Sequence, residues 1–299
     1  MRKAKALSPT FKRKKKRAPL YYVGKIAAYA VLVFFALIIL VPFLIAIITS
    51  LTPELNLLEN GFRWFTGVID IGYYHTILAT DEYGNIFRAF GNTLLYIVPP
   101  VLLGTFCSAM AAYALARIKF RGRTVIFFVM LATMVIPGII ITFPSFLLFK
   151  QVYKVDEWFP MMPIIIPGIF GGVGTMFFLR QYFLTLPKEL EEAAEMDGMS
   201  RFGMFIKIIL PLSLPAIITQ LLLGFNGAYN DYLVPLIYTA GKTEYYTVQL
   251  FVYGLSTSRN SSYPLLMAGG LLALIPTLIL YICGQKFFVE GIVMTGIKS

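Results

Sequence analysis

Asp231 is the one acid placed well inside a long uncharged run, and Asn226 and Asn230 precede it closely enough to form a polar patch on the same helix. A carboxylate in such surroundings is costly and is a functional candidate by default. With the two amides it offers donors and acceptors to the hydroxyls of a passing solute. Hydrogen bonding between helices near the end of the run is the competing use of the same groups. Bond-breaking chemistry is poorly supplied. His75 is the sole histidine, no G-x-S-x-G element or carboxylate cluster occurs, and no G-x-x-x-x-G-K-[ST] phosphate loop is present. Cys107 and Cys283 fall inside apolar runs without the neighbours a metal needs, so both read as small packing residues. No catalytic residue, metal ligand or cofactor site emerges.

The second stretch with chemical content is the charged segment from Thr185 to Pro211, set between two apolar runs. Thr185, Leu186 and Pro187 predict a helix start with Pro187 at the first helical position, where a missing N–H costs nothing. Glu189, Glu191 and Glu192 then complement the positive end of the helix dipole. Leu186, Leu190, Ala193, Ala194 and Asp197 fall on one small, apolar face, while Lys188, Glu191 and Glu195 point elsewhere. Gly198 ends this helix, and Ser200 caps another that leads through Ile208, Leu210 and Pro211 into the next apolar run. The expectation is a helix, a sharp turn and a second helix. An amphipathic helix lying on lipid is the alternative.

The elements that must carry these groups follow from composition. Of 299 residues 58% are hydrophobic and 14% charged, and the mean hydropathy is +0.75. Such a chain is an integral membrane protein. Six windows are apolar and charge-poor enough to cross a bilayer: Ile26 to Thr49, between Arg88 and Arg117, between Arg123 and Lys150, between Glu157 and Arg180, Ile208 to about Ala240, and Ser261 to Gln285. All exceed strand length and are predicted as helices, giving an all-α membrane protein of six spans with a coupling loop at about 180–207. One membrane domain, 26–299, follows a basic tail, 1–25. The apolar run after that tail is longer than a signal peptide's and no clear A-x-A site follows, so it is expected to stay as the first span.

An even number of spans puts both termini on one side. Placing the termini, the loop around Lys119 and the 180–207 loop together gathers twenty Lys and Arg residues on that side, against six on the other. The positive-inside rule makes it the cytoplasm. The net charge of +11 sits mostly in the tail and in Arg117, Lys119, Arg121 and Arg123. Orientation and anionic headgroups account for it, and no groove-reading element accompanies it, so nucleic acid is not an expected partner. Gly104, Ser108, Ala112 and Ala116 recur every four residues in the second window and predict close helix packing, within the chain or against a second subunit. The long outer loop from about Leu51 to Phe87 has room for a small substructure.

Glu192, Ala193, Ala194, Gly198, Ile208, Leu210 and Pro211 match the residues and spacing of the EAA motif of ABC importer permeases, and the chain resembles that family. Asn92-Thr93, the run Ala112 to Arg117 with Arg121-Gly122-Arg123, Asn230-Asp231 with Pro235, and the ending Gln285 to Gly291 resemble its sugar-importing, maltose-type branch, specifically the six-span partner. Tyr229 departs from the Trp often found there. The resemblance implies a permease of a bacterial inner membrane that imports a sugar or oligosaccharide. It also implies a second permease subunit in a heterodimer, an extracytoplasmic sugar-binding protein, and a separate ATPase dimer that holds ATP and Mg. The seven motif residues are then the ATPase-coupling surface, and Asn226, Asn230 and Asp231 are candidates for the solute path. The segment Gly291 to Ser299 resembles a tail that reaches the ATPase, with a disordered end as the alternative. A permease for a non-sugar solute and an ion-coupled transporter remain the rivals, the second weakened by the near absence of ionisable residues from the apolar windows.

Overall fold

The computed structural model describes residues 19–65, 67–79, 84–154, 159–239, 241–259 and 261–296. Most of the basic tail and the last residues of the C-terminal segment lie outside these. Among the described residues there is no strand. Residues 1–48 and 49–299 form two units. The first contains most of α1 (Pro19–Ser50), which carries the apolar run Gly24–Ser50 and continues through Pro42.

In the second unit, α2 (Glu54–Asn60) and α3 (Gly72–Ala79) make up the small substructure expected in the first long loop. Its base is pinned: Asp70 N donates to Leu51 O at 2.8 Å, Glu54 N donates to the Tyr73 hydroxyl at 3.0 Å, and the Ser50 and Tyr74 hydroxyls are 2.8 Å apart. Helix α4 (Ile86–Arg117) follows, capped by the Asn85 side chain, which accepts from Arg88 N at 2.9 Å. Then come α5 (Arg123–Thr133), α6 (Gly138–Leu147), α7 (Met162–Ile169), α8 (Val173–Thr185), α9 (Glu189–Met196), α10 (Arg201–Met204), α11 (Leu210–Leu212), α12 (Leu214–Tyr229), α13 (Leu233–Thr239), α14 (Val248–Thr257) and α15 (Tyr263–Gly296).

Four of the expected windows are helices long and apolar enough to cross a membrane: Gly24–Ser50, Ile86–Arg117, Met162–Thr185 and Tyr263–Phe287. The other two are bent pairs. Helices α5 and α6 meet at 88°, and the α10–α11 segment meets α12 at 78°. Among the described residues the count is therefore four, or up to six if each bent pair is one crossing. Proline chemistry places both breaks. Residue 136 precedes Pro137 and is steered away from helical backbone, and Pro215 sits in the first turn of α12, where a helix can begin but not continue from before. The fifth window also ends early, because α12 stops at Tyr229 and a turn at Asn230 and Asp231 precedes α13.

The small-residue stripe of α4 is buried against α7 and α8 of the same chain. A Cβ on Gly104 would overlap the Gly168 carbonyl oxygen, and one on Gly171 would overlap the Ser108 hydroxyl and the Gly104 carbonyl. Gly171 also holds φ +88°, which only glycine adopts freely. Ser108 Oγ accepts from Gly172 N at 3.0 Å. Contacts advance in step along both helices, Gly104 with Gly168, Ser108 with Gly172, Leu115 with Arg180, so α4 and α8 run parallel. Of the two readings of this stripe, packing within the chain is the one observed.

Two apolar cores flank that contact. One joins Ile77, Ile86, Tyr96, Met161, Tyr229, Val248, Phe251 and Leu265. The other joins Ala109, Tyr113, Phe127, Leu179, Phe183, Phe205, Ile209 and Ala216, and it carries the segment that contains α9 and α10.

Candidate functional site

The elbow between α8 and α12 is built from local signals. Leu186 is extended at ψ 145° because Pro187 follows it. Helix α9 begins at Glu189, so Pro187 lies before the helix, not at its first position as the sequence predicts. The first turn holds Glu189, Glu191 and Glu192, which stabilise it against the dipole. At the other end Gly198 takes φ +75°. Met199 N donates to Ala194 O at 2.9 Å and Gly198 N to Glu195 O at 3.1 Å. These two bonds form a Schellman closure, in which a left-handed residue lets the chain turn back over the last helical carbonyls. Ser200 then caps α10, accepting from Gly203 N at 3.1 Å. Arg201 and Glu195 are 2.6 Å apart across the turn, but both are about half exposed, so the pair adds little stability.

The faces of α9 differ from the amphipathic pattern. Glu191 and Ala194 are buried, whereas Glu192, Ala193 and Leu190 are exposed and Met196 is 89% exposed. The inward side is thus anchored by an acid that the sequence places on the polar face. The reason is Arg117 at the end of α4, whose Nε stands 3.1 Å from Glu191 Oε1 with both side chains over nine-tenths buried. A buried charge requires a partner, and here the partner overrides the hydrophobic pattern. On the apolar face of the sequence reading, Leu190 and Ala193 are left exposed.

Beyond the elbow, Phe205–Ile209 forms a π-helical turn between α10 and α11. Phe205 anchors it against α4, with its ring 5.4 Å from that of Tyr113 and 5.9 Å from that of Phe106. Ile208 and Leu210 are half-buried and Pro211 is exposed. Glu192, Ala193, Ala194 and Gly198 therefore belong to the helix and its turn, while Ile208, Leu210 and Pro211 belong to the hinge that follows. A cleft of about 630 Å³ lies between α9 and the α4–α5 turn, with Arg117, Lys119, Arg123 and Lys188 among its walls opposite Glu191, Glu192 and Glu195.

The second candidate is the polar patch. Asn226 and Asn230 are exposed and share a bond, Asn230 Nδ2 donating to Asn226 Oδ1 at 3.2 Å and to its carbonyl at 2.8 Å. Asp231 Oδ1 accepts from Val234 N at 3.2 Å, at the start of α13. The acid thus caps the helix that follows it, while both amides are exposed. Beside it, Tyr232 and Tyr253 stack at 5.4 Å and 27°, each around two-fifths exposed. No motif joins these two tyrosines in the sequence. Tyr229 is a core residue, its hydroxyl donating to Ala273 O at 2.6 Å and its ring stacked on Phe225. Its departure from Trp is accommodated by the α12–α15 contact.

Asp231→Asn retains the acceptor at the start of α13 and is expected to leave stability within about 0.5 kcal/mol of the parent, whereas Asp231→Ala removes it and costs about 1 kcal/mol. Thermal unfolding in detergent compares the two. A changed range of accepted solutes in the Asn variant marks a path role in addition.

Among the described residues no group of His, Cys, Asp and Glu is arranged to hold a metal ion.

Comparison with known proteins bears on the whole chain. Residues 104–292 match the family described as "Binding-protein-dependent transport system inner membrane component". The chain is similar to the arabinooligosaccharides transport system permease protein AraQ of Halalkalibacterium halodurans, 32% identical over 266 residues, with 89% of this chain and 94% of that one covered. It is also similar to the AraQ protein of Bacillus subtilis, 31% identical over 291 residues, with 95% and 99% covered. Among solved structures, a chain of a bacterial ABC transporter involved in the import of the acidic polysaccharide alginate shares the fold, with a TM-score of 0.76, 24% identity, and coverage of 92% of this chain and 100% of that one.

Proposed function

Because this chain belongs to the family of binding-protein-dependent transport system inner membrane components, we propose that it is a permease subunit of an ATP-driven importer of a sugar or oligosaccharide. It works in a bacterial inner membrane with both termini cytoplasmic, beside a second permease, an extracytoplasmic sugar-binding protein and an ATPase dimer that holds ATP and Mg. The observation that carries this reading is α9. It is fixed from behind by Glu191 and Ala194 and ended by a glycine turn, yet it presents Leu190, Glu192, Ala193 and Met196 outward. A membrane protein gains nothing from a rigid, outward-facing helix in a loop unless something soluble docks there.

The charge asymmetry supports placing that loop in the cytoplasm. The names of the AraQ relatives support oligosaccharides as the cargo class. Switching a permease between inward-open and outward-open states from 1:99 to 99:1 takes about 5.5 kcal/mol of differential binding, which a docked, nucleotide-driven partner supplies. Asn226, Asn230 and Asp231 line the solute path in this reading, with the outward amides offered to hydroxyls.

Purification of the tagged chain from its native membrane tests the proposal. An ATPase and a second permease are expected to copurify, and reconstituted vesicles take up oligosaccharide only with ATP and the receptor. Uptake driven by a proton or sodium gradient, with no ATPase present, overturns it.

A further inference from the structure

Three elements meet at one guanidinium. Arg117 ends α4, and its Nη2 donates to the carbonyls of Phe183 and Leu186, the second at 2.7 Å. Those carbonyls close the end of α8, where Phe183 O also accepts from Leu186 N at 3.2 Å. From the same side chain, Nε faces Glu191 Oε1 on α9 at 3.1 Å. The side chains of Arg117 and Glu191 are 4% and 9% exposed. A reciprocal strap runs the other way, with Arg180 Nε of α8 donating to Leu115 O of α4 at 3.1 Å while its guanidinium covers the Phe127 ring at 3.9 Å. Each arginine thus places positive charge at the carbonyl end of the neighbouring parallel helix, where the helix dipole favours it.

We infer that Arg117 is a positioning residue that ties the coupling helix α9 to the α4–α8 pair, so that displacement of the docked surface moves those two helices directly. The inference rests on the function proposed above and adds a route to it. From α9 to α12 the chain passes a glycine turn, a π-helical turn and a 78° bend at Ser213. From α9 to α4 the path is one buried ion pair. It is also selective. Arg117 Nε and Glu191 Oε1 lack the alignment of a hydrogen bond, and Nη1 has no bonding partner among the described residues, so α9 is held by charge while α8 is held by the forked bonds to its carbonyls. Neutralising Glu191 removes the charged hold on α9 and leaves α4 strapped to α8.

The test uses the complete transporter in vesicles, with solute moved per ATP as the readout. Glu191→Gln is expected to copurify with the ATPase and to hydrolyse ATP near the parent rate, while solute moved per ATP falls about tenfold, within the usual range of a coupling free energy. The double variant Arg117→Met/Glu191→Met leaves no unpaired buried charge but also removes the bonds to the Phe183 and Leu186 carbonyls, so its thermal midpoint is measured beside its transport. It is expected to show the same fall. An unchanged ratio in a folded variant overturns the inference, and so does a parallel loss of hydrolysis, transport and thermal midpoint that leaves the ratio intact, because that is what a merely structural pair produces. If the parent chain carries no ATPase, the proposed function fails instead.

Discussion

A transporter carrying Gly198→Val is expected to assemble and hydrolyse ATP while moving little solute. Gly198 holds φ +75°, and a Cβ built there meets nothing within 4 Å, so the cost of substitution is in the backbone alone. A β-branched residue resists that conformation, whereas Asn tolerates it. Forcing valine into the turn costs about 2 kcal/mol, which lowers the population of the closed elbow by a factor of roughly 30. Met199 N then loses the Ala194 carbonyl, α9 frays at its C-terminal end, and the surface carrying Ala193 and Met196 is no longer held in one orientation. Gly198→Asn is expected to stay close to the parent. Solute uptake and ATP hydrolysis measured together on the two variants check the contrast. Equal uptake by both would remove the turn from the mechanism.

Gly171→Leu is expected to abolish the folded protein. Two costs add at this position. The backbone at φ +88° is strained for any side chain, and the Cβ overlaps the Ser108 hydroxyl and the backbone oxygen of Gly104. Strain and overpacking together come to at least about 3 kcal/mol, and a helix carbonyl cannot move aside as a side chain end can. Helices α4 and α8 are then pushed apart at the contact that also sets the register of Arg117 with Phe183. Gly172→Ala is the control: it is adjacent, has an extended backbone at φ −130° and has open space around its Cβ. Gel filtration of the detergent-solubilised protein and its thermal midpoint distinguish them, with the leucine variant aggregated and the alanine variant like the parent.

What was legible in the sequence was what depends on neighbours along the chain. Gly198 and Ser200 announce a turn because left-handed backbone and helix capping are local needs, and both are met as expected. The apolar windows are visible because a bilayer requires length. The stripe of Gly104, Ser108, Ala112 and Ala116 is visible because close packing requires small residues at fixed spacing. The breaks within windows are less so. Pro99, Pro100, Pro144 and Pro276 lie inside continuous helices, while Pro137 and Pro215 stand at sharp bends, so a proline in an apolar window does not by itself mark a break. Glu191 departs from the sequence pattern for a related reason. Helical periodicity assigns it to the polar face, but the arginine that buries it comes from a distant part of the chain. That same arginine takes the Leu186 carbonyl, and α9 starts later than Pro187 suggests. The tyrosine stack beside Asp231 carries no sequence signal, since Tyr232 and Tyr253 meet only through folding.

If α9 meets a cytoplasmic ATPase, position 193 is open to reagents from the inner face of the membrane alone, and sided labelling reads this out. Ala193→Cys, in a chain where Cys107→Ser and Cys283→Ser remove the native thiols, is exposed to a membrane-impermeant maleimide in intact spheroplasts and in inverted vesicles. No labelling is expected in spheroplasts, and labelling is expected in vesicles stripped of ATPase, reduced when the ATPase is added back. Labelling of position 193 from the outside of intact spheroplasts would contradict that placement.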